Sequence, residues 1–200
     1  EYRLAPEYRF PTALLDCYTA AKELYTNNLV LNTDPRRITV MGDSAGGNLA
    51  AAVSLMARDK GEFQVHRQIL IYPALYNTYT AASPYASVRE NGTDYLLTAV
   101  KMQDYLKLYE SCPKDRINPY FAPLLAGDFS NMPETLILTA EFDPLRDEGE
   151  DYGKKLAEAG NYVEVHRIRD ALHGFFALGI RFFHVQESFS YMNEFLKREV

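Results

Sequence analysis

Arg37-Ile38-Thr39-Val40-Met41-Gly42-Asp43-Ser44-Ala45-Gly46-Gly47-Asn48-Leu49-Ala50 decides how this chain folds. Its first five residues are rich in β-branched side chains and predict a short strand ending at Gly42. From Ala45 to Arg58, small and apolar residues crowd together without alternation, the pattern of a buried helix. Between the two lies Gly42-Asp43-Ser44-Ala45-Gly46. This is a G-x-S-x-G sequence in the strand–turn–helix setting that lifts a serine hydroxyl above a sheet. So sharp a turn leaves almost no room for side chains at its flanking positions. The plainer alternative is a glycine-rich turn that only holds an anion at a helix N-terminus.

Outward from this stretch the chain alternates strand and helix. Apolar positions at Ala13, Leu14, Cys17, Tyr18, Ala21, Leu24 and Tyr25 predict a helix over 12–26, opened by Pro11-Thr12. Further strands are expected at 66–72, stopped by Pro73, at 135–140 and at 162–168. Helices are expected over about 145–159, ended by Gly160, and over 183–198. Strands joined through helices imply right-handed crossovers, hence an α/β fold with a mostly parallel sheet covered by helices on both faces. An irregular insert, about 74–131, carries one helical stretch near 98–110. It is dense in tyrosine: Tyr76, Tyr79, Tyr85, Tyr95, Tyr105, Tyr109 and Tyr120. No repeat or flexible linker interrupts the chain, so residues 1–200 read as one domain with an inserted lid.

Composition narrows the function. The 200 residues are 47% hydrophobic and 24% charged, ordinary globular usage that argues against disorder and coiled coil. Lys and Arg number 21 against 27 Asp and Glu, a net charge of −6 without a basic cluster. Nucleic acid is therefore a poor partner, and no apolar run approaches the ~18 residues of a membrane span. Cys17 and Cys112 lie far apart without metal-ligand spacing, so neither a disulfide framework nor a metal site is indicated. Unpaired cysteines and acidic charge make a cytoplasmic protein the default. A homodimer is allowed. The chain starts at Glu1 rather than Met and is expected to begin inside a longer sequence.

A reactive serine needs a general base, and the base needs an orienting carboxylate. Four histidines compete. His66 opens a strand, His166 lies within one and His184 starts the last helix, all structural or surface positions. His173 stands on a loop just after the fourth strand, where it can swing over the carboxyl edge of the sheet. After the third strand comes Glu141-Phe142-Asp143-Pro144-Leu145-Arg146-Asp147-Glu148, in which Asp143 is the expected acid. Asp followed by Pro also fits a helix N-cap, with Asp147 and Glu148 as first-turn acids favoured by the helix dipole. The order Ser44, Asp143, His173 is that of the α/β-hydrolase fold.

The chain resembles the hormone-sensitive-lipase family of esterases within that fold. The resemblance rests on Tyr2-Arg3-Leu4-Ala5-Pro6-Glu7, Gly42 through Ala50, Asp143 through Gly149, and His173-Gly174-Phe175. It implies a serine carboxylesterase acting on small or medium acyl esters, with Ser44 as nucleophile, His173 as base and Asp143 as acid. No metal or organic cofactor is implied. The Ala45 N–H is the expected oxyanion donor. The family also carries a His-Gly-Gly-type loop upstream of Tyr2, which this chain lacks. The resemblance therefore implies the C-terminal part of a longer hydrolase, crippled on its own, because one lost oxyanion donor costs about 10²–10³ in rate. The first strands of the sheet, including the neighbour of the nucleophile strand, are expected to be missing with that loop, which would leave an apolar parallel strand edge open to pairing or aggregation. Asp43, Tyr76 and Tyr79 are candidate substrate contacts, with the alternative that the tyrosines form the lid's own small core. Amide hydrolysis on the same triad and ligand binding without catalysis are the competing functions.

Overall fold

Alternation with a period of two sorts the strand residues onto two faces, and the computed structural model, which describes residues 1–27 and 34–198, shows what covers each. Four strands, β1 (Thr39–Asp43), β2 (Arg67–Ile71), β3 (Glu134–Phe142) and β4 (Val163–Leu172), form one sheet in that order. Every pairing is parallel. Among the described residues six α-helices surround it: α1 (Thr12–Thr26), α2 (Ala45–Lys60), α3 (Ala86–Glu90), α4 (Ala99–Tyr109), α5 (Arg146–Glu158) and α6 (Phe183–Lys197).

On one face Leu70 and Ile137 pack against Ala50, Ala51 and Leu55 of α2 and against Tyr152 and Leu156 of α5. On the other, Ile69, Ile71, Leu136 and Leu138 meet Val185, Met192 and Phe195 of α6. Consecutive strand order with right-handed crossovers explains why both connecting helices share a face. The second face is covered only over β2 to β4. Met41, in register with Ile69, is 58% exposed, and β1 is an edge of the described sheet.

Helix α2 is buried at every position from Gly47 to Ala57 because it lies between the sheet and α1. Small side chains are what such a double contact demands. The helix stops at Gly61, whose φ of 63° lets its N–H reach the Ala57 carbonyl at 2.9 Å.

The turn into α2 corrects one expectation. A Cβ on Gly42 would stand 2.2 Å from the Gly46 carbonyl oxygen, and one on Gly47 would stand 2.8 Å from Pro73 Cβ. A Cβ on Gly46 would meet only Asp43 Oδ1, at 3.9 Å. Gly42 and Gly47 are the positions without room, whereas Gly46 matters for its carbonyl.

The fourth strand runs to Leu172 rather than ending near 168, because a bulge interrupts its pairing with β3. Ala140 pairs with Ile168 but Phe142 pairs with Leu172, so β4 spends two extra residues there. Asp170 takes a φ of 56° within the bulge, and its N–H donates to Glu141 Oε2 at 2.8 Å.

The insert has no core of its own. Leu97, Met102, Leu106 and Phe121 join Phe10, Leu14, Leu49 and Val53 in one cluster. Several of its tyrosines act as clamps instead, with the ring inward and the hydroxyl on a carboxylate of the main body. Tyr79 Oη donates to Glu148 at 2.8 Å, Tyr85 Oη to Asp151 at 2.9 Å and Tyr120 Oη to Asp59 at 2.8 Å.

Gly42→Ala should lower stability by about 3 kcal/mol or more, the upper end of overpacking penalties. Gly46→Ala should shift it by less than about 1 kcal/mol, the scale of a Gly-to-Ala change in helix propensity. Thermal denaturation of the two variants side by side checks the contrast.

Candidate active site

Ser44 sits between β1 and α2 with φ of 53° and ψ of −115°. A non-glycine residue at positive φ is strained and persists only when its surroundings hold it. Here the Ser44 N–H donates to the Ile71 carbonyl at 2.9 Å, and its carbonyl accepts from Asn48 N at 3.1 Å and Ala74 N at 3.2 Å. The elbow is therefore strapped to the chain leaving β2.

Three expected residues converge. Ser44 Oγ lies 2.9 Å from His173 Nε2, and His173 Nδ1 lies 2.7 Å from Asp143 Oδ2. Asp143 is fully buried, and the His173 side chain is only 11% exposed. The bulge in β4 brings His173 over the sheet edge. Tyr72, at the end of β2, backs the imidazole with ring centroids 4.8 Å apart and is itself braced by Phe175.

Asp143 is not the N-cap of α5, a position that Leu145 takes. Oδ2 faces His173, while Oδ1 accepts from Leu145 N at 2.8 Å in a local turn. The insert grips the same turn. Asp147 Oδ2 accepts from Ser87 N at 2.7 Å, Ser87 Oγ donates to the Pro144 carbonyl at 2.9 Å, and the Asn91 amide donates to the Asp143 carbonyl at 3.3 Å.

Beside Ser44 opens a mostly apolar cavity of about 360 Å³. It lies between the N-terminal segment, α2 and α4, with Leu4, Leu49, Met102, Leu106 and Phe121 in its walls. The Asn48 amide ties two of those walls together, donating to the Ala74 carbonyl at 2.8 Å and the Phe121 carbonyl at 2.9 Å. Ala45 also lines the cavity and opens α2, so its N–H is one of the donors a helix N-terminus leaves free.

The candidate substrate contacts divide. Tyr76 lines the cavity. Tyr79 does not: it is 2% exposed and bound to Glu148, so the expectation that it touches substrate is corrected. Asp43 also stays off the cavity wall. It is exposed, with its carboxylate 3.4 Å from Tyr72 Oη. Among the other histidines, His166 stacks on Tyr191 at 3.8 Å and His184 meets Phe175 edge-on at 6.2 Å, while neither His66 nor His184 lines the cavity. Among the described residues no three His, Cys, Asp or Glu side chains gather as metal ligands.

Glu148 stands in the first turn of α5 as expected, but it is fully buried and turned toward the insert, of which the sequence carries no sign. Its Oε1 accepts from Leu75 N at 2.6 Å, Tyr76 N at 3.3 Å and Tyr79 Oη at 2.8 Å. It thereby holds the loop that carries Tyr76 into the cavity. Burial pushes its carboxyl up to about 8 against the pull of those donors, with the charge of Asp143 adding to the rise. A Glu beside a Leu-Arg-Asp run offers no local sign of this, because the donors it meets are about seventy residues away.

Residues 1–177 match the alpha/beta hydrolase fold family, and the chain belongs to it. It is 40% identical over 176 residues to an arylesterase of Saccharolobus solfataricus, covering 88% of this chain and 56% of that protein. It is 37% identical over 179 residues to an ethyl acetate hydrolase of Pseudomonas putida, covering 89% of this chain and 55% of that one. The chain thus spans about half the length of the curated relatives it matches. The solved structure of a hyperthermophilic esterase from the archaeon Pyrobaculum calidifontis superposes with a TM-score of 0.89 at 43% identity, over 98% of this chain and 64% of that one. The resemblance to the hormone-sensitive-lipase family agrees with these matches. No described helix is long and apolar enough to cross a membrane.

The raised carboxyl of Glu148 predicts a pH dependence. A folded-state value of about 8 against an ordinary 4.5 means the folded chain binds the proton more tightly between those limits. Stability should fall as pH rises from about 5 to 8 and then level off, by roughly a few kcal/mol in all. Glu148→Gln, which mimics the neutral acid, should lose that slope. Urea denaturation of both proteins across this range measures it.

Proposed function

We propose that this chain carries the catalytic machinery of a serine carboxylesterase acting on small to medium acyl esters. The observation that carries the reading is the continuous relay from Ser44 Oγ through His173 to the buried Asp143 carboxylate. The names of the relatives, arylesterase and ethyl acetate hydrolase, favour ester substrates.

In this reading the ester carbonyl meets Ser44 Oγ, which attacks as its proton passes to His173 Nε2. Asp143 holds the imidazole in the tautomer with Nδ1 protonated and stabilises the imidazolium that forms. The Ala45 N–H donates to the oxyanion of the tetrahedral intermediate. Collapse expels the alcohol, protonated by His173, and leaves the acyl group on Ser44. A water then gives its proton to His173, attacks the acyl carbon, and a second collapse returns the acid and the free serine. The strained backbone at Ser44 keeps the hydroxyl raised throughout, so little reorganisation accompanies attack. The apolar cavity beside Ser44 suits a short acyl or alcohol tail in size and chemistry.

A fluorophosphonate probe should label the folded chain at Ser44 and leave Ser44→Ala unlabelled. Folded chain that takes up no probe at any concentration would overturn the reading. Asp143→Asn should lower the labelling rate and kcat by about 10⁴, the cost of a wrongly oriented imidazole in such a relay. Tyr76→Ala should change the relative rates on acetate and hexanoate esters. Tyr79→Phe should instead lower stability by about 1–3 kcal/mol, since it removes a donor from buried Glu148, with chain-length preference unaltered.

A further inference from the structure

Beside the relay stands one side chain to which the chemistry above gives no task. Tyr72, the residue after β2, is 1% exposed and takes a φ of 34°. A bulky residue at positive φ is a genuine outlier, and such strain collects at functional sites, where the surroundings over-determine the conformation. Its N–H donates to the Leu138 carbonyl at 2.6 Å, which pins the backbone to β3. Its ring meets Phe175 edge-on at 5.3 Å and Phe176 edge-on at 6.2 Å. Its hydroxyl donates to Asp43 Oδ2 at 3.4 Å, and burial pushes the phenol up, so the proton for that bond stays in place. Held at its backbone and at its hydroxyl, the ring lies 4.8 Å from the His173 imidazole, centroid to centroid.

Before reaction the imidazole is bonded at both nitrogens, Nδ1 to Asp143 Oδ2 and Nε2 to Ser44 Oγ. Acylation removes the second bond. Once Oγ carries the acyl group and the alcohol has left with the proton from Nε2, neither atom holds a hydrogen, and the two face each other as acceptors. The bond to Asp143 remains, and a ring held by one hydrogen bond can pivot about it. The second half of the reaction still needs Nε2 aimed at the water that attacks the acyl carbon. We propose that Tyr72 is a positioning residue for this half, its ring holding the His173 imidazole in place while Ser44 is acylated and cannot. The inference deepens the esterase reading and rests on it for the existence of an acyl intermediate.

Ser44→Ala in the full chain copies the loss of the serine bond without any turnover, because alanine offers Nε2 no hydrogen. In that protein the His173 Nδ1–H proton should remain a sharp, slowly exchanging NMR signal, and the nuclear Overhauser contact between the Tyr72 ring and the imidazole should persist. Ser44→Ala/Tyr72→Leu should lose the signal, and Ser44→Ala/Tyr72→Phe, which keeps the ring, should recover most of it. Loss of the signal and the contact in Ser44→Ala itself would overturn the proposal, as would an unchanged signal in Ser44→Ala/Tyr72→Leu. The first of these measurements leaves Tyr72 in place, so it decides even where the leucine variant fails to fold. With the serine present, Tyr72→Leu should slow the decay of the acetyl-enzyme, followed by intact mass, by about 10²-fold, the cost of a misplaced catalytic group. Fluorophosphonate labelling, which reports the first half alone, should slow by clearly less. Equal losses in the two halves would mark a merely structural role and overturn the proposal. Absence of labelling and turnover in the unaltered chain counts against the esterase reading, whereas the NMR comparison still decides whether Tyr72 holds the imidazole.

Discussion

Everything at this site depends on how closely β1 can approach the start of α2. Gly42 lies so near the Gly46 carbonyl that a single methyl group would enter it, and Gly47 lies nearly as close to Pro73. These two contacts set the angle between strand and helix. Ser44, between them, is driven to a positive φ and raised above the sheet. Three backbone hydrogen bonds, one donated to the Ile71 carbonyl and two accepted from Asn48 N and Ala74 N, hold it there. Without that approach the serine would sit on an ordinary turn, and His173 Nε2 would have no hydroxyl at 2.9 Å.

The second constraint is the attachment of the insert. It contributes no separate core, and it joins the body through hydroxyl and amide donors placed on carboxylates, the innermost of them at Glu148. Tyr79 and the backbone at Leu75 and Tyr76 meet Glu148, Ser87 meets Asp147, Tyr85 meets Asp151 and Tyr120 meets Asp59. Three of these carboxylates belong to or adjoin the first turns of α5, directly after Asp143. The element that walls the cavity is thus anchored to the element that delivers the acid of the relay. Such coupling keeps the cavity and the relay in register, and it draws on Tyr79 and Tyr85. Tyrosine alone among the large aromatics ends in a hydroxyl that can both fill an apolar space and meet a carboxylate at its far end.

Much of this was legible in the chain. The strand-to-helix passage at 37–58 and the strands near 66–72, 135–140 and 162–168 follow from periodicity and punctuation within windows of ten or fifteen residues. The selection of Ser44, Asp143 and His173 from all the serines, acids and histidines followed from their positions just past strand ends. What was not legible shares one property. Tyr79 and Glu148 are 69 residues apart, Tyr109 stacks on Phe121 and Phe10, and the β4 bulge exists only as a mismatch with β3. No local pattern encodes such pairings. A Glu at the start of a helix looks solvated until the loop that buries it is in place.

The sequence by itself therefore determined the class of fold, the elbow and the chain order of Ser44, Asp143 and His173, because each depends on short-range sterics or on where an element ends. Tertiary structure decided which glycines cannot change, how far β4 runs before it releases His173, and that Tyr79 braces while Tyr76 faces the cavity. The reason is physical. Glycine needs, bulges and tyrosine hydroxyl partners are set by distances between elements, and those distances exist only once the sheet and its helices have packed.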